Sequence, residues 1–294
     1  MRPVLSELVD LLSLERIEVN LFRGASQDLG WGQVFGGQVL GQALSAAHQT
    51  VPEDRHVHSL HAYFLRVGDC RTPIVYTVDP IRDGRSFTTR RVVAVQHGKP
   101  IFHLSASFQI EEEGFDHQDL APEGLLDPDT LLSERQLAKG LKGKLPPALY
   151  ERAIAERPID IRPERPHDPT RPTVREPTRR VWFRASDPIE GESPWLHRCL
   201  LAYASDFGFL TTAMQPHGAS WLTPGMQVAS LDHAMWFHRP LRVDEWLLYD
   251  VESPSASGAR GLVRGRVFDQ RGRLVATVVQ EGLVRDRRGA SSSR

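Results

Sequence analysis

Twice along this chain of 294 residues a single helix-forming segment precedes four strand-like runs, and that repeated order limits the possible folds more than any other feature. In the first half the helix is Gly36-Gly37-Gln38-Val39-Leu40-Gly41-Gln42-Ala43-Leu44-Ser45-Ala46-Ala47, rich in small residues. Strand-like runs follow at residues 58–66, 73–82, 86–95 and 99–110, with Gly84 and Gly98 marking turns. In the second half residues 195–210 read as the helix. Runs at 226–239, 245–252, 261–268 and 273–285 come after it, with Gly272 at the last turn. The first long run of each half carries a similar phrase, Ser59-Leu60-His61-Ala62-Tyr63-Phe64 and Ser230-Leu231-Asp232-His233-Ala234-Met235-Trp236. One helix followed by several antiparallel strands, given twice, predicts an α+β protein with two copies of a unit in which a sheet wraps a helix.

The segment between the halves has another character. From Glu111 to Pro177 it is acidic, then helix-forming over residues 134–156, then proline-rich. Pro158, Pro163, Pro166, Pro169, Pro172 and Pro177 preclude a long regular element there. The expected division is a first unit over residues 1–112, a connector over 113–178, a second unit over 179–288 and a flexible tail over 289–294.

Composition narrows the functional classes. With 40% hydrophobic and 25% charged residues the chain has the make-up of a soluble globular protein. A formal net charge of -1 gives no global attraction to nucleic acid or to an anionic membrane. Two cysteines, Cys70 and Cys199, make neither a disulfide framework nor a four-cysteine zinc site, which points to the reducing cytoplasm. The first twelve residues mix acids with apolar side chains and predict an amphipathic helix in place of a signal peptide. No stretch approaches the roughly 18 uncharged apolar residues of a membrane span. The final Ser-Ser-Ser-Arg is not a peroxisomal Ser-Lys-Leu address.

Several familiar sites are excluded. Gly-x-Ser-x-Gly does not occur, so an α/β-hydrolase nucleophile elbow is not expected. The glycines at 36, 37 and 41 lack the Gly-Lys-Ser/Thr ending of a phosphate loop and are not Gly-x-Gly-x-x-Gly; they predict close packing of a helix against a sheet. Strand alternation places His56 and His58 on one face and His61 on the other, which matches no common metal site. By the same alternation Asp232 and His233 point to opposite faces and form no dyad. Trp236, Phe237 and His238 are expected to fill the core or cover its rim.

Asp206 stands out. On a helix its neighbours three and four residues away are Ala202, Tyr203, Phe209 and Leu210, all uncharged. A carboxylate in that setting must be paired, held neutral or turned toward a cavity. Gln280 shares a strand face with Ala276, Val278, Gly282 and Val284, so its amide also faces an apolar layer and needs partners. Ser230 shares a face with Val228 on the first run after the helix of Asp206. Two accounts stay open on the residues alone. Each group satisfies a local structural hydrogen bond, or the three hold one water that Asp206 deprotonates while Ser230 and Gln280 orient it or stabilise the developing oxyanion.

The phrases around these residues resemble a known family. Ala202-Tyr203-Ala204-Ser205-Asp206, Gln215-Pro216-His217-Gly218, Ser230 to His238 and Val279-Gln280-Glu281-Gly282 are similar to the type II acyl-CoA thioesterases. So are Phe35-Gly36-Gly37-Gln38 and His58 to Phe64 in the first half. The resemblance runs from about residue 5 to 285 and is weakest in the connector. It implies a double hotdog, each hotdog a long helix wrapped by an antiparallel sheet. It also implies hydrolysis of fatty acyl-CoA to fatty acid and CoA, an activity of fatty acid and lipid metabolism. The family's Asp, Ser or Thr, and Gln fall on Asp206, Ser230 and Gln280. Some members carry Asn where this chain has Gly208. No metal, resident cofactor or covalent nucleophile is expected, and CoA is part of the substrate. The hotdog analogy further implies a homo-oligomer. A non-catalytic acyl-CoA-binding double hotdog is the alternative. A hydratase-type hotdog is a more distant one, since its Asp-x-Asn-Pro-x-His-like phrase is missing.

Overall fold

The computed structural model describes residues 1–191 and 193–287; the expected tail at 289–294 and the last residue of the expected second unit lie outside the described residues. Helix α1 (Pro3–Leu12) opens with proline at its first position, where the missing N–H costs nothing, and buries Leu5, Leu8, Leu11 and Leu12 at helical spacing. A hairpin of β1 (Glu15–Glu18) and β2 (Leu21–Gly24) turns at Asn20, whose φ of 59° suits asparagine. Helix α2 (Gly36–His48) precedes β3 (His56–Phe64), β4 (Ile74–Asp83), β5 (Phe87–Gln96) and β6 (Lys99–Gln109). The connector holds two short helices, α3 (Glu134–Lys139) and α4 (Pro147–Ile154), and the strand β7 (Ile159–Pro163). After β8 (Thr178–Ala185) come α5 (Pro194–Ser205), the one-turn α6 (Thr211–Met214), β9 (Met226–Ser230), β10 (Asp232–Phe237), β11 (Leu247–Ser257), β12 (Arg260–Asp269) and β13 (Leu274–Asp286).

Among the described residues thirteen strands form one antiparallel sheet in the order β1-β2-β4-β5-β6-β3-β10-β13-β12-β11-β8-β7, with β9 paired to the far end of β13. The two halves are therefore joined strand to strand. At the joint β3 and β10 pair with Leu60 opposite Met235 and Ala62 opposite His233. Leu60, Ala62, Met235 and His233 are all buried, as are Val92, Leu104, Val263 and Val278 on neighbouring strands, so one continuous core lies under the curved sheet.

Helices α2 and α5 fill that core side by side and run antiparallel. A Cβ added at Gly37 would lie 2.3 Å from the Tyr203 carbonyl, and one at Gly41 would lie 3.2 Å from the Cys199 carbonyl. At the other end His48 stacks on Trp195 with ring centroids 5.2 Å apart. The small-residue face of α2 thus packs against a second helix, whereas the sequence predicts that the glycines face a sheet. Buried Gln38 and Gln42 on α2 are satisfied: Gln42 donates to the carbonyls of Leu11 and Ala25 and accepts from Tyr76, while Gln38 donates to Ala25 and accepts from the Gln27 amide. These bonds tie the segment leading into α2 to the helix itself.

Other departures have local causes. Strands β1, β2, β7 and β8 are absent from the predicted runs. In β1 all four residues are exposed, so no alternation marks it. Strand β7 lies among the prolines at the edge of the sheet and ends on Pro163, a position that needs no ladder donor. The helix-forming stretch 134–156 is cut in two by Gly140, Gly143 and Pro146, with Gly143 at a φ of 77°. The run 226–239 breaks at Leu231, whose amide donates to the Glu281 carbonyl and whose carbonyl accepts from the Phe64 amide. The break lets β9 and β10 pair with different stretches of β13. Helix α5 ends at Ser205 and not at 210; Asp206 is its C-cap, and Gly208 at φ 62° turns the chain away.

Candidate active site

The C-cap places Asp206 where the end of α5 meets the start of α2. Its carboxylate Oδ1 accepts from Gln280 Nε2 at 2.9 Å and from Ser230 Oγ at 3.4 Å. The backbone N–H of Gly37, in the first turn of α2, donates to the same carboxylate. The three sequence-predicted residues are thus brought together from α5, β9 and β13, and a glycine amide from the other half joins them. A Cβ at Gly36 would come within 2.6 Å of Asp206 Oδ2. No other residue type fits that approach without moving the acid.

Burial pushes the Asp206 carboxyl up to about 6, against the bonds from Gln280, Gly37 and Ser230, which hold it down. Its residue retains partial exposure while its carboxyl lies deep among protein atoms, as for a group at the floor of a cleft. An acid with that balance is half-ionised near pH 6, so at neutral pH it is mainly a carboxylate that can take a proton and return it. Gln280 is fully buried, and its Oε1 has no partner among the described residues. Ser230 is the last residue of β9, opposite Gly282.

Support for the Asp206 turn comes from groups that sequence reasoning missed. Tyr249 on β11 donates its hydroxyl to the Ser205 carbonyl at 3.2 Å. Ser205 Oγ lies 2.9 Å from Nε2 of His233, a fully buried ring that desolvation holds neutral, down to about 3. Arg179 donates to the Gly208 carbonyl at 3.1 Å and pairs with Glu134 of the connector at 2.8 Å. None of these could be found from local patterns, because each contact joins segments at least 28 residues apart.

The remaining candidates fall elsewhere. His58 bonds Ser107 at 2.8 Å, and His61 packs edge-on against Trp236. Among the described residues no three His, Cys, Asp or Glu side chains are grouped to hold a metal. Asp232 and His233 do face opposite ways: Asp232 accepts from the Glu281 amide at 2.7 Å while His233 is buried. Phe237 is buried in the core, Trp236 covers His61, and His238 bonds Thr277. Cys70 and Cys199 are both free thiols. No helix among the described residues is long and apolar enough to cross a membrane.

Beside the site, Phe35 at the α2 N-cap stacks on Phe207 at 4.4 Å and meets Tyr203 edge-on at 5.3 Å. Tyr203 and Phe207 also form part of the wall of a cleft of about 390 Å³. The Tyr203 hydroxyl is buried there with no partner among the described residues, a state that costs roughly 1–3 kcal/mol unless a ligand or solvent group meets it.

Comparison with known proteins gives a consistent picture. Residues 149–283 match the family model described as acyl-CoA thioesterase, and residues 26–109 match that of the acyl-CoA thioesterase N-terminal domain. The chain is 45% identical to acyl-CoA thioesterase 2 of Haemophilus influenzae, over 97% of this chain and 99% of that one. The crystal structure of an acyl-CoA thioesterase II, TesB2, from Mycobacterium marinum is 42% identical, superposes with a TM-score of 0.75 and covers 96% of this chain and 99% of its own. A protein of Alicyclobacillus acidocaldarius described as having a hot dog fold, 19% identical, superposes with the same TM-score of 0.75 over 95% of this chain and 98% of its own. The antiparallel sheet and its buried helices are of the hotdog type.

Proposed function

This chain belongs to the type II acyl-CoA thioesterase family and hydrolyses acyl-CoA thioesters, and from that premise we propose that Asp206, Ser230 and Gln280 activate the water that attacks. The observation that carries the proposal is the convergence of Gln280, Ser230 and the Gly37 amide on one desolvated carboxylate from three different elements and both halves.

The chemistry follows from the positions. A thioester carbonyl is electrophilic enough for a water activated by a carboxylate, so no metal, resident cofactor or covalent nucleophile takes part. Asp206 accepts a proton from the water as the new C–O bond forms. The unpartnered Gln280 Oε1 is an acceptor for the water's second hydrogen, and the single Ser230 hydroxyl hydrogen, given to Asp206 in the resting site, turns to the charge developing on the carbonyl oxygen once Asp206 is protonated. Collapse of the tetrahedral intermediate breaks the C–S bond. The proton held by Asp206 leaves with the CoA thiolate, and the carboxylate is restored. The amide of Gly37, at the positive end of α2, keeps enough of Asp206 ionised to begin again.

We read the architecture as a double hotdog: β3 to β6 wrap α2, and β9 to β13 wrap α5. The units cover residues 1–112 and 179–288 with the connector at 113–178. We read the acyl group as that of a fatty acid, as the family phrases imply, with fatty acid metabolism as the setting. The two unpaired thiols support a cytoplasmic setting. Open edges at β1 and β7, with Ile17 exposed on β1, support a homo-oligomer, and sedimentation at rising concentration tests it. The test of the catalytic proposal is thiol release from a panel of acyl-CoAs by the wild type and by Asp206→Asn. Unaltered release by the variant would sink the mechanism.

A further inference from the structure

The connector builds one wall of two adjoining clefts that the water-activating groups leave unused. The outer cleft, about 430 Å³, is lined by Arg135 and Lys139 of α3, Arg157, Arg162 of β7, Arg184 of β8 and Arg2 before α1. Three acids also line it, and all are already engaged. Glu156 pairs with Arg135 at 3.4 Å and Asp160 with Arg162 at 3.0 Å, while Glu134 is held at 2.8 Å by Arg179, which is not part of the lining. Arg157 stands 4.0 Å from Glu134, and Lys139 and Arg2 make no side-chain ion pair among the described residues. Asp129, outside the lining, stands 3.7 Å from Arg162 and 3.9 Å from Arg184, so the surplus of positive charge facing the concavity rests on Lys139 and Arg2.

The inner cleft is the 390 Å³ space bounded by Tyr203 and Phe207. It shares Arg157, Glu156, Ile159 and Ile161 with the outer cleft, so the two are continuous. Its character is different. Its lining is mixed: Leu8, Leu29 and Phe207 make apolar wall, and Glu7, Asp28 and Arg152 put polar groups among them. From outside inward the surface passes from cationic to a wall of mixed apolar and polar groups, which reaches Tyr203 and Phe207, the latter next to Asp206 in the chain. Acyl-CoA has the same order along its length: 3′-phosphate and diphosphate, then the pantetheine arm with its amides, then the thioester.

We propose that the connector's cationic cleft binds the 3′-phosphate and diphosphate of CoA, with Arg157 at the junction, and that the pantetheine arm follows the inner cleft toward Asp206. The inference rests on the acyl-CoA reading of the site and adds which part of the chain recognises the nucleotide end. Arginine suits the task because its planar fork matches phosphate oxygens two at a time. Placing these cations on an added segment separates recognition of the carrier from the chemistry on α5, β9 and β13.

The test uses the full-length protein with Lys139→Glu combined with Arg157→Glu, and two probes. Titration calorimetry with adenosine 3′,5′-bisphosphate should show binding to the wild type and at least about tenfold weaker binding to the variant, the loss expected for one charge-assisted phosphate contact or more. In steady-state assays the wild type should show a lower KM for acyl-CoA than for the matching acyl-pantetheine, and the variant should lose that advantage through KM, with kcat held. Lys139→Glu alone, at an exposed side chain, should shift both readouts the same way by a smaller factor, which guards against misfolding of the double variant. Equal nucleotide affinity in wild type and variants, or KM changes of the same size for both thioesters, would overturn the proposal. Failure of the wild type to release thiol would remove the catalytic reading, while the nucleotide titration would still decide this one.

Discussion

At one end of the antiparallel α2–α5 pair the N-terminus of α2 faces the C-cap of α5; at the other end the roles are exchanged. The first end holds Asp206, and three donors meet it. At the second end the C-cap of α2 is Gln49, an amide in place of an acid, and the ionisable group is His48, stacked on Trp195. Burial drives both groups toward neutrality, raising Asp206 to about 6 and lowering His48 to about 4. What separates them is their company. Asp206 has donors that favour its charged form, whereas His48 faces Arg198 and His56, which disfavour its own. Identical backbone layout gives a proton acceptor at one end and an inert ring at the other. Catalytic capacity here lies in the groups aimed at the helix end and not in the helix pair.

The largest expected break in this contrast is Asp206→Asn. Thiol release should fall by about 10²–10⁴, the usual worth of a positioned base, with the far-ultraviolet dichroism unchanged. Gln280→Ala comes next, with an expected loss of about 10²–10³ in kcat as for removal of one preorganised donor. It should also move the acidic limb of the pH–rate profile upward from about 6, because the lost bond was lowering the acid's pKa. Ser230→Ala, removing a longer contact of 3.4 Å, should cost less, about tenfold.

A stability measurement sharpens the comparison further, because the two ends respond to pH with opposite sign. Asp206 is raised from 3.8 to about 6, so the folded state holds its proton more tightly than the unfolded one; the associated stability is present below 3.8 and lost as pH rises through 6. Asp206→Asn should therefore stabilise the protein by about 3 kcal/mol at pH 7, with most of the gain gone near pH 4 in urea titrations. His48 is lowered from 6.5 to about 4, so its contribution is present above 6.5 and lost as pH falls through 4. The smallest effect should belong to His48→Gln, which leaves thiol release unchanged and only softens the acid-side loss of stability. A collapse of activity in that variant would mean that the second end is not inert.

The sequence shows α2, α5 and most of the strands β3 to β6 and β10 to β13 through helical spacing or alternation, and it shows the acid, hydroxyl and amide as polar groups in apolar settings. Three kinds of feature escape it. A backbone donor leaves no residue signature, so the Gly37 amide reads only as a glycine suited to close packing. Exposed or proline-flanked strands such as β1 and β7 carry no hydrophobic alternation long enough to register. Contacts that depend on how distant segments meet, such as Tyr249 to the Ser205 carbonyl or Arg179 to both Gly208 and Glu134, have no local cause at all.

The pairing of β3 with β10 has a consequence for how the molecule comes apart. Amide protons of residues such as Leu60 and Met235 lie in a ladder that belongs equally to both halves. They should exchange with solvent only when the whole sheet opens, so the two halves share a single cooperative unfolding event. Cleaving the backbone within the connector would therefore leave a nicked protein held as one body, and neither fragment should refold by itself.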